Sequence, residues 1–294
     1  MHKKTIFHFQ KAGLWTTVQD EGRSGFQQYG VPVGGVMDEI SAAIANRLVG
    51  NPITYPVLEI TLFGPTIAVA GEAIIALTGA DLNAKINGRI LPLYQPLRVK
   101  TGDCLHFGKP QKGCRAYLAI AGEWQVKPWL NSASAATQNA AILTPDSIVT
   151  KGSRLVVIPN FSPAINAIST VVMPEIADFI RVKVSKGIEY DYFPKVVREQ
   201  FFGKPHTIST QANRMGYRLT ENLTGFAPIK EIISSGVLPG TVQITHAGQP
   251  IILMKDAQTT GGYWRLCQVF SADLPKLGQL KPGDQIWFSL DEND

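Results

Sequence analysis

Eight short apolar runs, "TIAVAG", "AIIALTG", "CRAYLAIAG", "RLVVIP", "FIRVKVS", "TVQIT", "PIILMK" and "QIWFSL", follow one another along the chain, separated by Gly, Pro, Asn and Asp. Runs of this length, rich in β-branched residues and bounded by turn formers, read as strands. A doubly wound α/β sheet needs a helix between successive parallel strands. Only two helices are convincing here. In "MDEISAAIANRLVG", Asp38 caps the amino end, Ile40, Ile44 and Leu48 recur every fourth residue, and Gly50-Asn51-Pro52 ends the helix. The second lies in "FPKVVREQFFG", with Pro194 at its start and Gly203 at its end. The expected class is mainly β with a few helices.

One pattern recurs three times: "VKTGDCLHF" at 99–107, "VTKGSRLVV" at 149–157 and "LKPGDQIWF" at 280–288, each a short lead, a glycine turn and an alternating strand. Recurrent leads of this kind imply related β-barrel units, although glycine turns before strands are common without any duplication. The length of 294 residues suggests about two domains. The stretch from "SASAATQNAA" to "NFSPAINAIST" is rich in small polar residues and reads as the bridge, with a boundary near residue 165.

The formal charge of +5 is spread out: no basic run exceeds Lys3-Lys4, and no basic stripe carries interleaved aromatics. Nucleic acid is therefore not an expected partner. The mild positive field suits an anionic small substrate or an acidic protein partner, and equally serves solubility alone. Three cysteines without C-x-x-C spacing indicate neither a disulfide framework nor a zinc knuckle. The amino terminus lacks the apolar region of a signal peptide, and no segment sustains the roughly 18 apolar residues needed to span a bilayer. These features lead to the expectation of a cytoplasmic chain that does not enter the membrane.

Familiar catalytic motifs are missing. There is no G-x-x-x-x-G-K-[ST] loop, no G-x-G-x-x-G and no G-x-S-x-G, and the five histidines show no ligand spacing. The expectation is no metal site, and no cofactor bound by a recognisable motif. What stands out are polar clusters around glycines. "TTVQDEGRSGFQQYGVP" gathers Gln19, Asp20 and Arg23, and "QANRMGYRL" gathers Gln211, Asn213, Arg214 and Arg218. Arginine offers a planar fork of donors, aspartate an ionised acceptor, and Asn or Gln both kinds of group, which suits a ureido or lactam substrate. The same residues fit a structural reading, in which Asp20 pairs with Arg23 to fix a loop and Arg214 satisfies buried carbonyls.

As a set, "GLWTTVQDEGRSGFQQYGVPVGGVMDEISAAIANRLVGNPITYPVLEITLFGP", "ANRMGYRL" and "GQPIILMKDAQTTGGYWR…SADLPKLGQLKPGDQIWF" resemble the biotin-dependent carboxyltransferase family. That family includes the C subunit of bacterial 5-oxoprolinase, the KipA regulator and allophanate hydrolase subunit 2. The similarity runs from about residue 12 to 288, with several long motifs in order. It implies two cyclophilin-like β-barrel subdomains, here 1–165 (the first carboxyltransferase subdomain) and 166–294 (the second). It also implies work in a complex with the A subunit of 5-oxoprolinase and with a smaller carboxyltransferase-like chain, equivalent to the B subunit of that enzyme or to KipI. In such a complex ATP is handled by a partner chain, and 5-oxoproline is opened to glutamate. Two alternatives share the motifs: a carboxyltransferase moving CO2 from carboxybiotin to urea or a related amide, in which biotin would be used, and a KipA-like regulator that binds a kinase inhibitor. Two places depart from the family's usual pattern. "LNSASAAT" stands where relatives read close to "LGSRST", placing Asn131, Ala133 and Ala135 at a glycine, an arginine and a threonine, and Trp264 replaces the proline of "GGYP".

Within "KDAQTTGGYWR", Gln258, Thr259, Thr260, Gly261, Gly262 and Tyr263 are expected to form a binding surface at a strand end, where the glycines allow close backbone approach. Asn213 and Arg214 are expected to face the same cavity, Arg214 meeting a carboxylate or ureido oxygen, with Asp20 and Arg23 as further substrate contacts. No catalytic residue is assigned. The competing reading has the two threonines capping a turn that Arg214 braces.

Overall fold

A computed structural model describes residues 4–136, 139–161, 173–226 and 232–291. The chain divides into two compact units, Met1–Arg23 with Gly34–Ile176, and Ser24–Val33 with Ala177–Asp294. The boundary expected near residue 165 lies outside the described residues. All eight apolar runs are strands, and the described residues are mainly β with a few helices.

The first unit is built from two sheets. One orders Gly122–Trp124, Arg154–Pro159, Thr5–Lys11, Thr66–Ala70, Cys104–His106, Lys85–Ile86 and Arg89–Ile90; the other orders Trp15–Gln19, Val57–Thr61, Lys112–Ile120, Ala73–Asp81 and Pro96–Val99. Alternation along the strands drives their packing. Phe7, Phe9, Ile67 and Val69 of the first sheet share one apolar cluster with Leu58, Ile60, Ile75 and Leu118 of the second. The opposite face of the second sheet is also covered, because Tyr117 and Ala119 pack with Ala42, Ala45 and Leu48 of the helix Glu39–Leu48. Burial on both faces is why "AYLAI" is a continuous apolar run.

Asp38 caps that helix as expected, accepting from the Ser41 amide at 3.0 Å. Ser41, Ala42, Ala45, Asn46 and Leu48 face inward, while Ile40 is 47% exposed. Small residues let the helix lie close to the sheet, and the Asn46 amide donates to the Tyr55 carbonyl at 2.7 Å.

The three glycine turns share one geometry. Gly102, Gly152 and Gly283 have φ of 93°, 90° and 94°, the left-handed third position of a type II turn that glycine occupies without strain. In each, the side chain at the fourth position accepts from the first amide: Asp103 from Lys100, Ser153 from Thr150, Asp284 from Lys281. Each turn also exchanges two backbone hydrogen bonds with one residue of a neighbouring segment, Val69, Phe9 and Ile208 respectively. The same device thus recurs in both units.

In the second unit the sheet runs His206–Thr207, Gln285–Leu290, Phe179–Lys186, Trp264–Val269, Thr241–Ile244, Pro250–Leu253 and Gly216–Arg218. The pair Phe179–Lys186 and Gln285–Leu290 is parallel. The helix Lys195–Phe202 places Phe201 against Phe288 and His206. His206 is fully buried, with Nε2 2.8 Å from the Phe201 carbonyl. Burial drives its imidazole below the ordinary value, outweighing the Phe201 carbonyl and Glu221, which pull the other way. A depressed folded-state value makes the unfolded chain bind the extra proton first. The neutral imidazole's contribution is therefore fully present above about pH 6.5 and is lost as pH falls below it. The urea midpoint of the second unit is expected to drop between pH 7.5 and 5.5, and by less in His206→Asn; an equal drop in both proteins would locate the pH dependence elsewhere.

Candidate functional site

The conspicuous polar cluster of the first unit is built on Asp20. Gln19 ends the strand Trp15–Gln19, and the Gly22 amide donates back to Asp20 Oδ1 at 2.8 Å, turning the chain. Oδ1 also accepts from the hydroxyls of Ser132 (2.6 Å) and Ser134 (2.5 Å), and Oδ2 accepts from the Ala133 amide (2.6 Å). Arg23 is buried; its guanidinium donates to the Ser134 carbonyl and lies 5.0 Å over the Trp129 ring. Asp20 and Arg23 thus hold the same 129–135 loop from two sides. That loop passes through left-handed backbone at Leu130 (φ 49°) and Asn131 (φ 63°), a conformation asparagine adopts more readily than other residues with a side chain. Ala133 and Ala135 are buried.

Next to Asp20 lies a pocket of about 270 Å³, lined in part by Glu21, Val36, Glu39, Ile53 and Tyr55. Gly35 precedes the lining residue Val36 at φ +88°, and an added Cβ there would sit 2.8 Å from the Glu21 carbonyl group. Beneath, a buried row of Thr17, Glu59, Tyr117 and Thr78 runs across four adjacent strands. Glu59 Oε2 accepts from the Met37 amide (2.8 Å) and the Tyr117 hydroxyl (3.0 Å), and Arg115 Nε lies 3.6 Å from Glu59 Oε1. Burial first, then the Glu59 charge, pushes the Tyr117 hydroxyl well above its ordinary value, so it stays protonated and donates. These residues fix the backbone at Met37 and Asp38. Sequence reasoning passed over them, although a carboxylate inside "VLEIT" was the available signal.

In the second unit, Asn213 is exposed, and its Oδ1 accepts from the amides of Met215 (2.8 Å) and Gly216 (3.3 Å), closing a turn. Gly216–Arg218 forms a short strand, so only the first part of "QANRMGYRL" is loop. Arg214 is 6% exposed, and its Nε and an NH2 nitrogen meet the two carboxylate oxygens of Asp256 at 2.8 Å each. The Asp256 amide donates to the Arg214 carbonyl. A carboxylate of the chain itself therefore occupies the forked edge of Arg214, bracing the turn that leads into "AQTTGGY".

Gln258 is exposed, and the Thr259 carbonyl accepts from the Val237 amide at 3.1 Å. Thr260–Gly261 pairs antiparallel with Ser235–Gly236 as a two-stranded ribbon. The glycines permit close approach within the unit: a Cβ on Gly261 would sit 2.6 Å from Gln243 Nε2, and one on Gly262 would sit 3.2 Å from Ser234 Oγ. Tyr263 is 39% exposed and meets the exposed His246 edge-on at 5.7 Å. Trp264 packs on Tyr192, Phe193 and Phe226. Asn213, Gln258, Thr260 and Tyr263 are thus exposed, while Arg214 is buried.

The family model described as carboxyltransferase domain, subdomain A and B, matches residues 29–290. The chain is 37% identical over 285 residues to the C subunit of 5-oxoprolinase from Escherichia coli, covering 96% of this chain and 91% of that protein. It is 32% identical to urea amidolyase of Lachancea kluyveri, covering 98% of this chain but 17% of that protein. Among solved structures it superposes on the urea carboxylase of Kluyveromyces lactis with a TM-score of 0.83 at 30% identity, over 96% of this chain and 27% of the other. Among the described residues no helix is long and apolar enough to cross a membrane.

Proposed function

This chain belongs to the carboxyltransferase-domain family, subdomains A and B, and on that premise we propose that it is the C subunit of an ATP-dependent 5-oxoprolinase. The observation that carries the reading is the 37% identity extending over 91% of a protein named for that role, whereas the urea amidolyase match covers 17% of its relative. The substrate, 5-oxoproline, is a lactam bearing a carboxylate. Opening it to glutamate needs an activated carbonyl and a water molecule, and ATP supplies the activation in a partner chain. This chain contributes binding. Thr260 and Tyr263 hydroxyls, the Asn213 and Gln258 amides and the backbone at Gly261 and Gly262 offer the donors and acceptors that a lactam and a carboxylate require. The partners in this reading are the A subunit of 5-oxoprolinase and a smaller carboxyltransferase-like chain. Native affinity capture of the chain from its own organism tests the assembly: both partners should be recovered, and recovery of neither counts against the proposal.

The likeness to urea carboxylase favours a second reading, transfer of CO2 from carboxybiotin to an amide. Thermal shift separates the two, because a ligand that binds only the native state raises the unfolding temperature. In the preferred reading 5-oxoproline protects the assembled complex and biotin does not.

A further inference from the structure

Arg265 stands two residues beyond Tyr263 and spends its donors in two directions. Its backbone N–H and its Nε meet Glu189 Oε2 at 3.1 and 2.8 Å, an NH2 nitrogen meets Glu189 Oε1, and NH1 donates to Ser235 Oγ at 2.9 Å and the Gly236 carbonyl at 3.4 Å. Ser235 and Gly236 are the strand of the ribbon that pairs with Thr260–Gly261. One guanidinium therefore ties the ribbon to the Glu189 turn. The approach is enforced from below: Gly187 N donates to the Leu266 carbonyl at 3.0 Å, and a Cβ on Gly187 would sit 2.2 Å from the Arg265 carbonyl oxygen. Gln243, register partner of Arg265 on the adjacent strand, fills the space under Gly261 and donates to the Tyr263 carbonyl at 3.4 Å.

A two-residue ribbon has too few hydrogen bonds to hold its own position. The side chains of Arg265 and Glu189 are 11% and 10% exposed, and a bidentate pair this sheltered has a fixed geometry that lysine cannot reproduce. Burial pushes the Glu189 carboxyl up, but the Arg265 hydrogen bonds and charge outweigh it and hold the carboxyl below the ordinary range. The pair therefore stays ionised at neutral pH.

We propose that Arg265, held by Glu189, is the positioning residue of the binding segment, setting the height of the Ser235–Gly236/Thr260–Gly261 ribbon and so the fit of Thr260 and Tyr263 to a small lactam acid. The assignment of the ligand rests on the 5-oxoprolinase reading; the mechanical role of Arg265 does not. A small misplacement of binding groups costs far more rate or affinity than the displacement itself suggests.

The test uses the complex reconstituted with its partner chains. Arg265→Lys is expected to raise KM for 5-oxoproline about tenfold with kcat changed less than about twofold, which is the signature of lost binding alone. Ser235→Ala, which removes one tether without disturbing the ion pair, is expected to shift KM in the same direction by less. Hydrogen exchange supplies a readout that needs no turnover: the Val237 amide, which bonds to the Thr259 carbonyl, should exchange faster in both variants. Unchanged KM and unchanged exchange in assembled variants would overturn the proposal, as would a fall in unfolding temperature with KM intact. If wild-type complex releases no glutamate, the 5-oxoprolinase reading fails, and exchange at Val237 still decides the role of Arg265.

Discussion

Replacing Arg214 with alanine is expected to destabilise the second unit by about 3–5 kcal/mol, because it strands the Asp256 carboxylate in a buried position. Asp256 is 5% exposed and takes both bonds from the Arg214 fork at 2.8 Å. Truncation removes the attraction while leaving the desolvation of the remaining charge in place. The double variant Arg214→Ala/Asp256→Ala should therefore lose less than the sum of the two single variants, the coupling reporting directly on the pair. Urea denaturation of the four proteins, followed by hydrogen exchange of amides in the second unit's sheet, provides the measurement. Near-wild-type stability in Arg214→Ala, together with loss of activity in the complex, would favour Arg214 as a substrate contact over a bracing residue.

The first unit should respond as sharply to Asp20→Ala. Hydrogen bonds to a charged acceptor contribute about 1.5–3 kcal/mol each, but they overlap when they share one carboxylate, so a total cost of about 3 kcal/mol is expected. The consequence is local. Ser132, Ser134 and the Ala133 amide lose their common acceptor, and the 129–135 loop should become the earliest protease cut site in the unit. Ser134→Ala, which removes one donor and keeps the carboxylate, should cost less, about 1.5–2 kcal/mol. Asp20→Ala protein with an intact loop and unchanged stability would mean that Arg23 alone suffices to hold it.

The strands were legible because each alternates or runs apolar between turn formers, and the glycine turns were legible because a type II turn demands glycine at its third position. The helix Glu39–Leu48 was legible from its Asp38 cap and the every-fourth recurrence of Ile40, Ile44 and Leu48, but its packed face was not, because the small residues Ala42 and Ala45 that lie against the sheet carry no strong apolar signal. Arg214 and Asp256 lie 42 positions apart in sequence, so their pairing depends on strand register, which no local pattern encodes. Glu59 and Tyr117 were hidden in the same way: each sits in an apolar strand, and only the lateral row across four strands shows that they satisfy one another. The segment 258–263 is legible because it carries more polar groups than a turn requires. Its form as a paired ribbon tied down by Arg265 comes from Ser235–Gly236, a partner strand well upstream in the chain.

Glutamate release from 5-oxoproline, assayed with each component of the assembled complex left out in turn, bears most directly on the proposed role of this chain. ATP-dependent release is predicted only when this chain and both partner chains are present, with none from the chain alone. Release by the isolated chain, or undiminished release from a mixture lacking it, would contradict the account.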